Sequence, residues 1–430
     1  MQSAKELLFW IWLAEALGPA NRSFRNLILR YETPFEIYRA DAYELEGIEG
    51  LSNRALAALS DKNLEQATSI LEACQRLGIG LLPFGDERYP KNLRHIKAPP
   101  ILLYYKGRLP DFDRRLCIGM VGTRKMSAYG LRHAYKIAYE LTAAGAVTVS
   151  GMAAGIDGVS AGASLAAGGM TVAVLGCSVD LLYPQHHAKL KSKIEQNGLV
   201  LSEYPPGTKP NAYHFPTRNR IISGITEGTV VIEAGLGSGS LITAKDAIEE
   251  GRDVFALPSN LGSRTSAGTN GLLHDGAYLV LSTDDILDPY KYVFAETLHP
   301  EKIATLGDKS EADLAFLDEI GVISWQPGDA AKGKTDEQVP PQKTAPKKAG
   351  KPTEKEPEVE SAPTVDEALL AGLSVEERKI LDAMPDGKAL PLDALLDLGL
   401  SYGEVLSAVT TLEILGLLTK LPGSQYRKTV

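Results

Sequence analysis

Four short segments of this chain carry residue types that can hold a polyanion. The first is Val121-Gly122-Thr123-Arg124-Lys125-Met126-Ser127. Gly122 lets backbone come close to a ligand. The helix expected from about Ala128 to Ala143 would aim its unpaired N–H groups and positive dipole end at the same spot. Arg124 offers a fork that can grip a phosphate, with Lys125 beside it. The second is Ser150-Gly151-Met152-Ala153-Ala154-Gly155-Ile156-Asp157, where Gly151 and Gly155 can expose a nest of N–H groups. Asp157 either caps the next helix or receives a ligand hydrogen bond. The third, His214-Phe215-Pro216-Thr217-Arg218-Asn219-Arg220, reads as a loop. Phe215 offers a stacking face, Arg218 and Arg220 offer charge, and Asn219 offers a bidentate amide. Aromatics interleaved with arginines suit single strands, whose bases are unstacked. In the fourth, Glu233 ends a strand, and Ser238, Gly239 and Ser240 lie where a helix N-terminus would hold phosphate. Glu233 could accept from a base, a sugar or Arg220. Each segment also has a plainer reading as a tight turn, a pinned surface loop or a helix cap.

These loops need strands to place them. The run 116–121 is short and almost continuously apolar, as a buried parallel strand should be. Similar runs occupy 146–149, 171–175, 199–201, 230–232, 253–257 and 278–281, with helical stretches between several of them. This alternation predicts an α/β class fold, a Rossmann-like core with a parallel sheet. Three glycine-rich loops on one such sheet converge on the crevice where these folds bind ligands. No Walker A sequence occurs, and no GxGxxG follows the first strand.

Around this core, residues 1–78 read as a helical domain of the SAM or helix-hairpin-helix kind. Gly47-Ile48-Glu49-Gly50 is either a phosphate-facing hairpin or an ordinary turn with Ser52 as the next cap. Residues 79–290 form the core domain with an N-terminal extension, in which the run 101–105 reads as an edge strand. Residues 291–370 read as weakly structured chain and a disordered linker, rich in Pro, Lys, Glu, Ala and Thr from 328 to about 365. Residues 371–430 read as a winged-helix-like domain. Ser374 and Glu377 suit a capping box, helices carry Ile380-Leu381, Leu392-Leu395-Leu396 and Val405-Val409-Leu412, and a helix ends at Gly416. Pro422-Gly423-Ser424 turns a hairpin. The candidate recognition helix, from Tyr402 to about Leu415, carries Glu404 and Glu413 but no Lys or Arg, so a protein contact is at least as well supported as DNA readout.

The chain has 430 residues, is 44% hydrophobic and 23% charged, and has a net charge of −9. That sum hides an asymmetry. Residues 114–226 hold 12 Lys/Arg and 5 Asp/Glu, a net +7, so the remainder carries −16. A local basic patch attracts phosphate even in an acidic protein. Cys74, Cys117 and Cys177 are too scattered for a disulfide framework or a CxxC site; Cys117 and Cys177 should be buried, which fits a reducing cytoplasm. The apolar run 7–13 lies between Glu6 and Glu15 and is too short to span a bilayer; a buried or amphipathic helix is expected, with no signal peptide and no membrane association. His186-His187 cannot face one ion and lacks a third partner, so it reads as loop and no metal site is expected.

The four segments, in this order and spacing, resemble the DprA/Smf family of DNA-processing proteins, and the match continues through Asn270-Gly271-Leu272-Leu273 and Gly276-Ala277. It is specific over roughly 80–285 and looser at both ends. The resemblance implies a non-enzymatic, cofactor-free role. Such proteins bind single-stranded DNA, shield incoming DNA during natural transformation, load the RecA recombinase on it, and dimerise through the Rossmann-like domain. It also implies DNA contact by Arg124 and the segment 215–220, with Lys209 on the basic approach to that segment. Two positions depart from the pattern: Ser160-Ala161 stands where the family has an Ala-His pair, and Pro258-Ser259 where it has Pro-Gly.

Two rivals remain on sequence grounds. The fourth loop is similar to that of nucleotide phosphoribohydrolases of the lysine-decarboxylase-like type, but their Glu four residues after the last loop glycine is Thr243 here. A nucleotide-sensing regulator, with the winged helix as its output domain, is the other.

Overall fold

Gly80–Pro83 (β1) and Leu102–Gly107 (β2) lead into five strands that are buried at every residue. These are Cys117–Val121 (β3), Val147–Ser150 (β4), Thr171–Leu175 (β5), Leu199–Ser202 (β6) and Gly228–Val231 (β7). Strands covered on both faces have no solvated side, which explains their continuous rather than alternating apolar pattern. Asp253–Ala256 (β8) and Tyr278–Leu279 (β9) complete a nine-stranded sheet of order β1-β2-β6-β5-β4-β3-β7-β8-β9. The computed structural model describes residues 3–323 except 264, and most of 374–428.

From β6 to β9 every neighbouring pair is parallel. β2 pairs antiparallel with both β6 and β1. The run 101–105 is therefore an interior strand and not the edge that its prolines suggested. Leu102, Leu103 and Tyr104 are all buried, so both faces of β2 are covered, and β1 takes the edge.

Six helices precede the sheet: Ala4–Leu17 (α1), Phe24–Tyr31 (α2), Pro34–Arg39 (α3), Ala42–Glu46 (α4), Asn53–Ser60 (α5) and Glu65–Leu77 (α6). α1 buries Phe9, Trp10, Ile11, Trp12 and Leu13 in succession, the fate expected of that apolar run. Each such side chain contributes roughly 1.5–3 kcal/mol by leaving water. Ser52 caps α5 by accepting from the Ala55 N–H. The helices share one buried cluster with the sheet, running from Trp10 and Leu13 through Ile118, Val230 and Phe255 to Leu317.

Helices cover both sheet faces. They are Lys91–Arg94 (α7), Ala128–Ala143 (α8), Ile156–Ala166 (α9), Ala188–Asn197 (α10), His214–Ile225 (α11), Gly239–Glu249 (α12), Ala267–His274 (α13), Asp284–Leu287 (α14) and Leu314–Glu319 (α15). A second buried cluster, with Leu93, Ile96, Ile221 and Ile222 packed on Val149, Val172 and Val231, fills the other face. All three cysteines are buried and free.

The chain divides into two compact units, Met1–Asp336 and Glu337–Val430. In the second, Val375–Ala383 (α16) starts with the expected capping box of Ser374 and Glu377. Ala389–Pro391 (β10), Tyr402–Ile414 (α17), Leu418–Leu421 (β11) and Gln425–Lys428 (β12) follow. The strands pair antiparallel in the order β10-β12-β11, a winged-helix-like arrangement. The linker, most of the middle helix around 392–396, the helix end at Gly416 and the turn at 422–424 lie outside the described residues.

Candidate nucleic-acid interface

The chain passes from β3 through β4 and β5 to β6 on one side, then returns to place β7 and β8 on the other side of β3. At such a reversal the loops leaving adjacent strands part company, and a crevice opens at the strands' carboxyl ends. A groove of about 960 Å³ lies there. Gly122, Thr123, Arg124, Lys125, Phe215, Arg218, Asn219, Ser238, Gly239 and Ser240 all line it, as the four segments lead one to expect. Gly151, Gly155, Lys209, Arg220 and Glu233 do not line it, although Lys209 is exposed beside the lining residue Pro210.

Two expected ligand glycines serve the packing of the loops instead. Gly155 has φ +82, and a side chain there would stand 2.8 Å from the Arg124 Cα. The first and second loops can nest only because this position is bare. A side chain at Gly151 would stand 2.6 Å from the Arg218 guanidinium carbon. The backbone laces the loops together: the Ile156 N–H donates to the Thr123 carbonyl at 3.2 Å, and the Thr123 N–H to the Glu233 carbonyl at 2.8 Å.

The segment 214–220 is not a loop but the first turns of α11. Pro216 stands at the third position of that helix. In a helix's first turn proline is tolerated, because the N–H it lacks would have had no partner. The helical twist splits the segment's side chains. Phe215 and Asn219 reach the groove, whereas Arg220 turns to Glu203 and places Nη2 2.7 and 2.6 Å from its two carboxylate oxygens. Glu203 also accepts from the Ala20 N–H at 3.3 Å, so this ion pair ties the N-terminal helices to the sheet. Glu233 neither meets Arg220 nor faces a ligand; its Oε2 accepts the Ser127 N–H at 2.9 Å, at the start of α8.

Arg218 is only 5% exposed. It donates to the Val174 carbonyl, and its Nε donates to the Asn219 Oδ1 at 3.2 Å. Asn219 in turn donates Nδ2 to the Gly239 carbonyl at 3.4 Å, so its amide joins α11 to α12. Burial lowers the Arg218 pKa to about 10, against the attraction of Asp157. Burial likewise raises the Asp157 carboxyl, against the pull of Arg218 and of the Gly151 and Ala153 N–H groups. Asp157 accepts from the Gly151 N–H at 2.9 Å, and so fixes the second loop.

The exposed cations of the groove are Arg124 and Lys125. The Arg124 guanidinium lies 5.6 Å over the Phe215 ring. Phe215 rests on Gly176, and Tyr183 sits at its side, with ring centroids 5.3 Å apart. On the facing wall Ser238 caps α12 by accepting from the Ser240 N–H at 3.4 Å, and nothing lies within 4 Å of where a Gly237 or Gly239 side chain would be. That first turn is open to a ligand, with the positive end of the helix behind it.

The sequence does not single out Tyr183, and it offers no role for His187 beyond a loop residue. Tyr183 lies 32 positions from Phe215, and its only signal was an aromatic before proline in a loop after an apolar strand. His187 closes a short 3-10 turn, Gln185–His187, and is buried, not a surface loop residue. Its Nδ1 lies 3.1 Å from the Met152 carbonyl. A carbonyl only accepts, so Nδ1 carries the proton, and Nε2 is left buried without a partner. Met152 has φ +51, and His187 holds the carbonyl of this unusual turn in the second loop. Among the described residues no His, Cys, Asp and Glu group could hold a metal ion, and no helix is long and apolar enough to cross a membrane.

Comparison with known proteins places this groove in a family. Residues 80–291 match the family model of DNA recombination-mediator protein A. The chain is 33% identical over 427 residues to protein Smf of Synechocystis, covering 98% of this chain and 99% of that protein. It is 40% identical to the DNA processing protein DprA of Bacillus subtilis over 219 residues, 51% of this chain and 74% of the relative. The X-ray structure of DprA from Streptococcus pneumoniae superposes with a TM-score of 0.58 at 33% identity, covering 67% of this chain and 98% of that one. With so much of both chains matched, and with the sheet that carries the groove inside the matched region, this chain belongs to the DNA recombination-mediator protein A family, the DprA/Smf proteins.

Proposed function

We propose that the groove holds single-stranded DNA, and that the protein delivers the coated strand to the RecA recombinase during DNA uptake and natural transformation. The observation that carries this reading is the pairing of Arg124 with Phe215 across from the open first turn of α12. Guanidinium and helix N-terminus suit phosphate, and the aromatic ring suits an exposed base. A duplex keeps its bases stacked and offers no such face.

Holding, with no bond broken, is the whole task in this reading. The two carboxylates nearest the groove floor, Asp157 and Glu233, both accept backbone N–H groups and fix loops. Thr243 lines the groove where a phosphoribohydrolase would need its acid. The protein acts as a homodimer in the cytoplasm and needs no cofactor.

The test is a titration of fluorescent single- and double-stranded oligomers at two salt concentrations, with a mononucleotide as competitor. The expected result is preference for the single strand, steep salt dependence and no displacement by the mononucleotide. Tight binding of the mononucleotide with no binding of the single strand would establish the nucleotide sensor instead, and release of free base would establish the hydrolase.

A further inference from the structure

The base-contacting surface does not end at Phe215. Leu236 stands in the β7–α12 loop between Gly235 and Gly237 and is 78% exposed. Ile242, in the first turns of α12, is 42% exposed. Both line the same groove as Arg124 and Lys125. Single exposed apolar residues are ordinary. Two in one cationic groove, one in the glycine-flanked loop and one in the first turn of the helix that follows it, are a different matter.

The segments that carry these residues and Phe215 leave the sheet at different strands. Phe215 rests on Gly176, which directly follows β5, whereas Leu236 follows β7. β4 and β3 lie between those two strands, so the strand ends from which the two segments leave are three spacings apart, roughly 14 Å. Successive nucleotides of a stacked strand advance only about 3.4 Å. Over that span a strand crossing the groove would carry more than one nucleotide past the two segments. The Arg124 and Lys125 side chains line the same groove and can meet the strand's phosphates.

The geometry points to Leu236 and Ile242 as a second base-contact surface, apolar and non-aromatic, which takes a different base of the same strand from the one on Phe215. This rests on the proposed strand-binding role. An aliphatic contact has no hydrogen-bonding edge, so it accepts any base, as a protein that coats arbitrary incoming sequence requires.

The test uses the full chain and a fluorescent 12-mer of thymidine. Leu236→Ser/Ile242→Ser should weaken binding by about 5- to 20-fold, the scale of losing one partly buried apolar contact. The salt slope should not change, since no charge is removed. Leu236 is largely exposed and Ile242 partly so, and a thermal melt beside the parent protein shows whether the variant is folded. A 12-mer stripped of its bases should bind parent and variant equally, which separates a base contact from a backbone contact. Arg124→Ala runs alongside. If it weakens binding and Leu236→Ser/Ile242→Ser does not, the second surface is wrong and the groove stands. If neither weakens binding, the strand-binding role itself fails.

Discussion

The guanidinium of Arg124 lies 5.6 Å over the ring of Phe215, so the groove's main charge and its aromatic face are neighbours before any ligand arrives. An exposed cation–π pair is worth about 0.5–1 kcal/mol, too little to hold Arg124 against a phosphate. The two residues should therefore separate cleanly by salt. Phe215→Ala should cost about 1–3 kcal/mol of single-strand affinity and leave the salt slope alone. Arg124→Ala should lower the slope by about one. Titrations at four salt concentrations measure both. A slope change in Phe215→Ala, with none in Arg124→Ala, would reverse the roles assigned.

Arg220 should behave as a structural residue. Its Nη2 holds both oxygens of Glu203, and both side chains are about nine-tenths buried. Removing one partner of a buried pair strands the other, at a cost of about 3–5 kcal/mol, whereas replacing both by apolar groups is often neutral. Glu203→Leu should thus lower the melting temperature sharply, and Arg220→Met/Glu203→Leu should recover most of it. The double variant should also keep its affinity for a thymidine oligomer. Strong loss of affinity in a stable double variant would return Arg220 to the DNA interface.

The contrast between Arg124 and Arg220 shows what was legible in the sequence. Apolar runs reported the strands because burial on both faces leaves no other pattern, and the loops that follow them gathered at the reversal of strand order. Which side of a segment faces the groove was not legible. That depended on recognising 214–220 as helix, and Pro216 pointed the other way. The partner of Arg220 also could not be read, because Glu203, just past the end of β6, meets it only through the way α11 packs back on the sheet. The resemblance recovered the neighbourhood of the site but not the division of labour within it.

That division gives Gly151 a packing role. A side chain there would stand 2.6 Å from the guanidinium carbon of the buried Arg218. Gly151→Ala should cost about 1–3 kcal/mol of stability through overpacking. Its strand affinity should change little once measured well below the melting temperature. A Gly151→Ala protein as stable as the parent would mean that Arg218 can move, and that its burial is not a fixed part of the fold.

His187 gives the fold a pH dependence with a definite sign. Burial lowers its pKa from 6.5 to about 4. Between those values the unfolded chain binds a proton that the folded chain refuses, so stability rises with pH across the window and falls on acidification. The ceiling for this single group is about 3 kcal/mol, reached only near pH 4. His187→Gln keeps an N–H donor for the Met152 carbonyl and removes the titration. Thermal melts at pH 7.5 and pH 5 should therefore show a larger loss in the parent than in His187→Gln. Equal losses would assign the acid sensitivity to other groups. Strand binding at pH 7.5 should be the same in both proteins, because the neutral imidazole already holds the second loop at that pH.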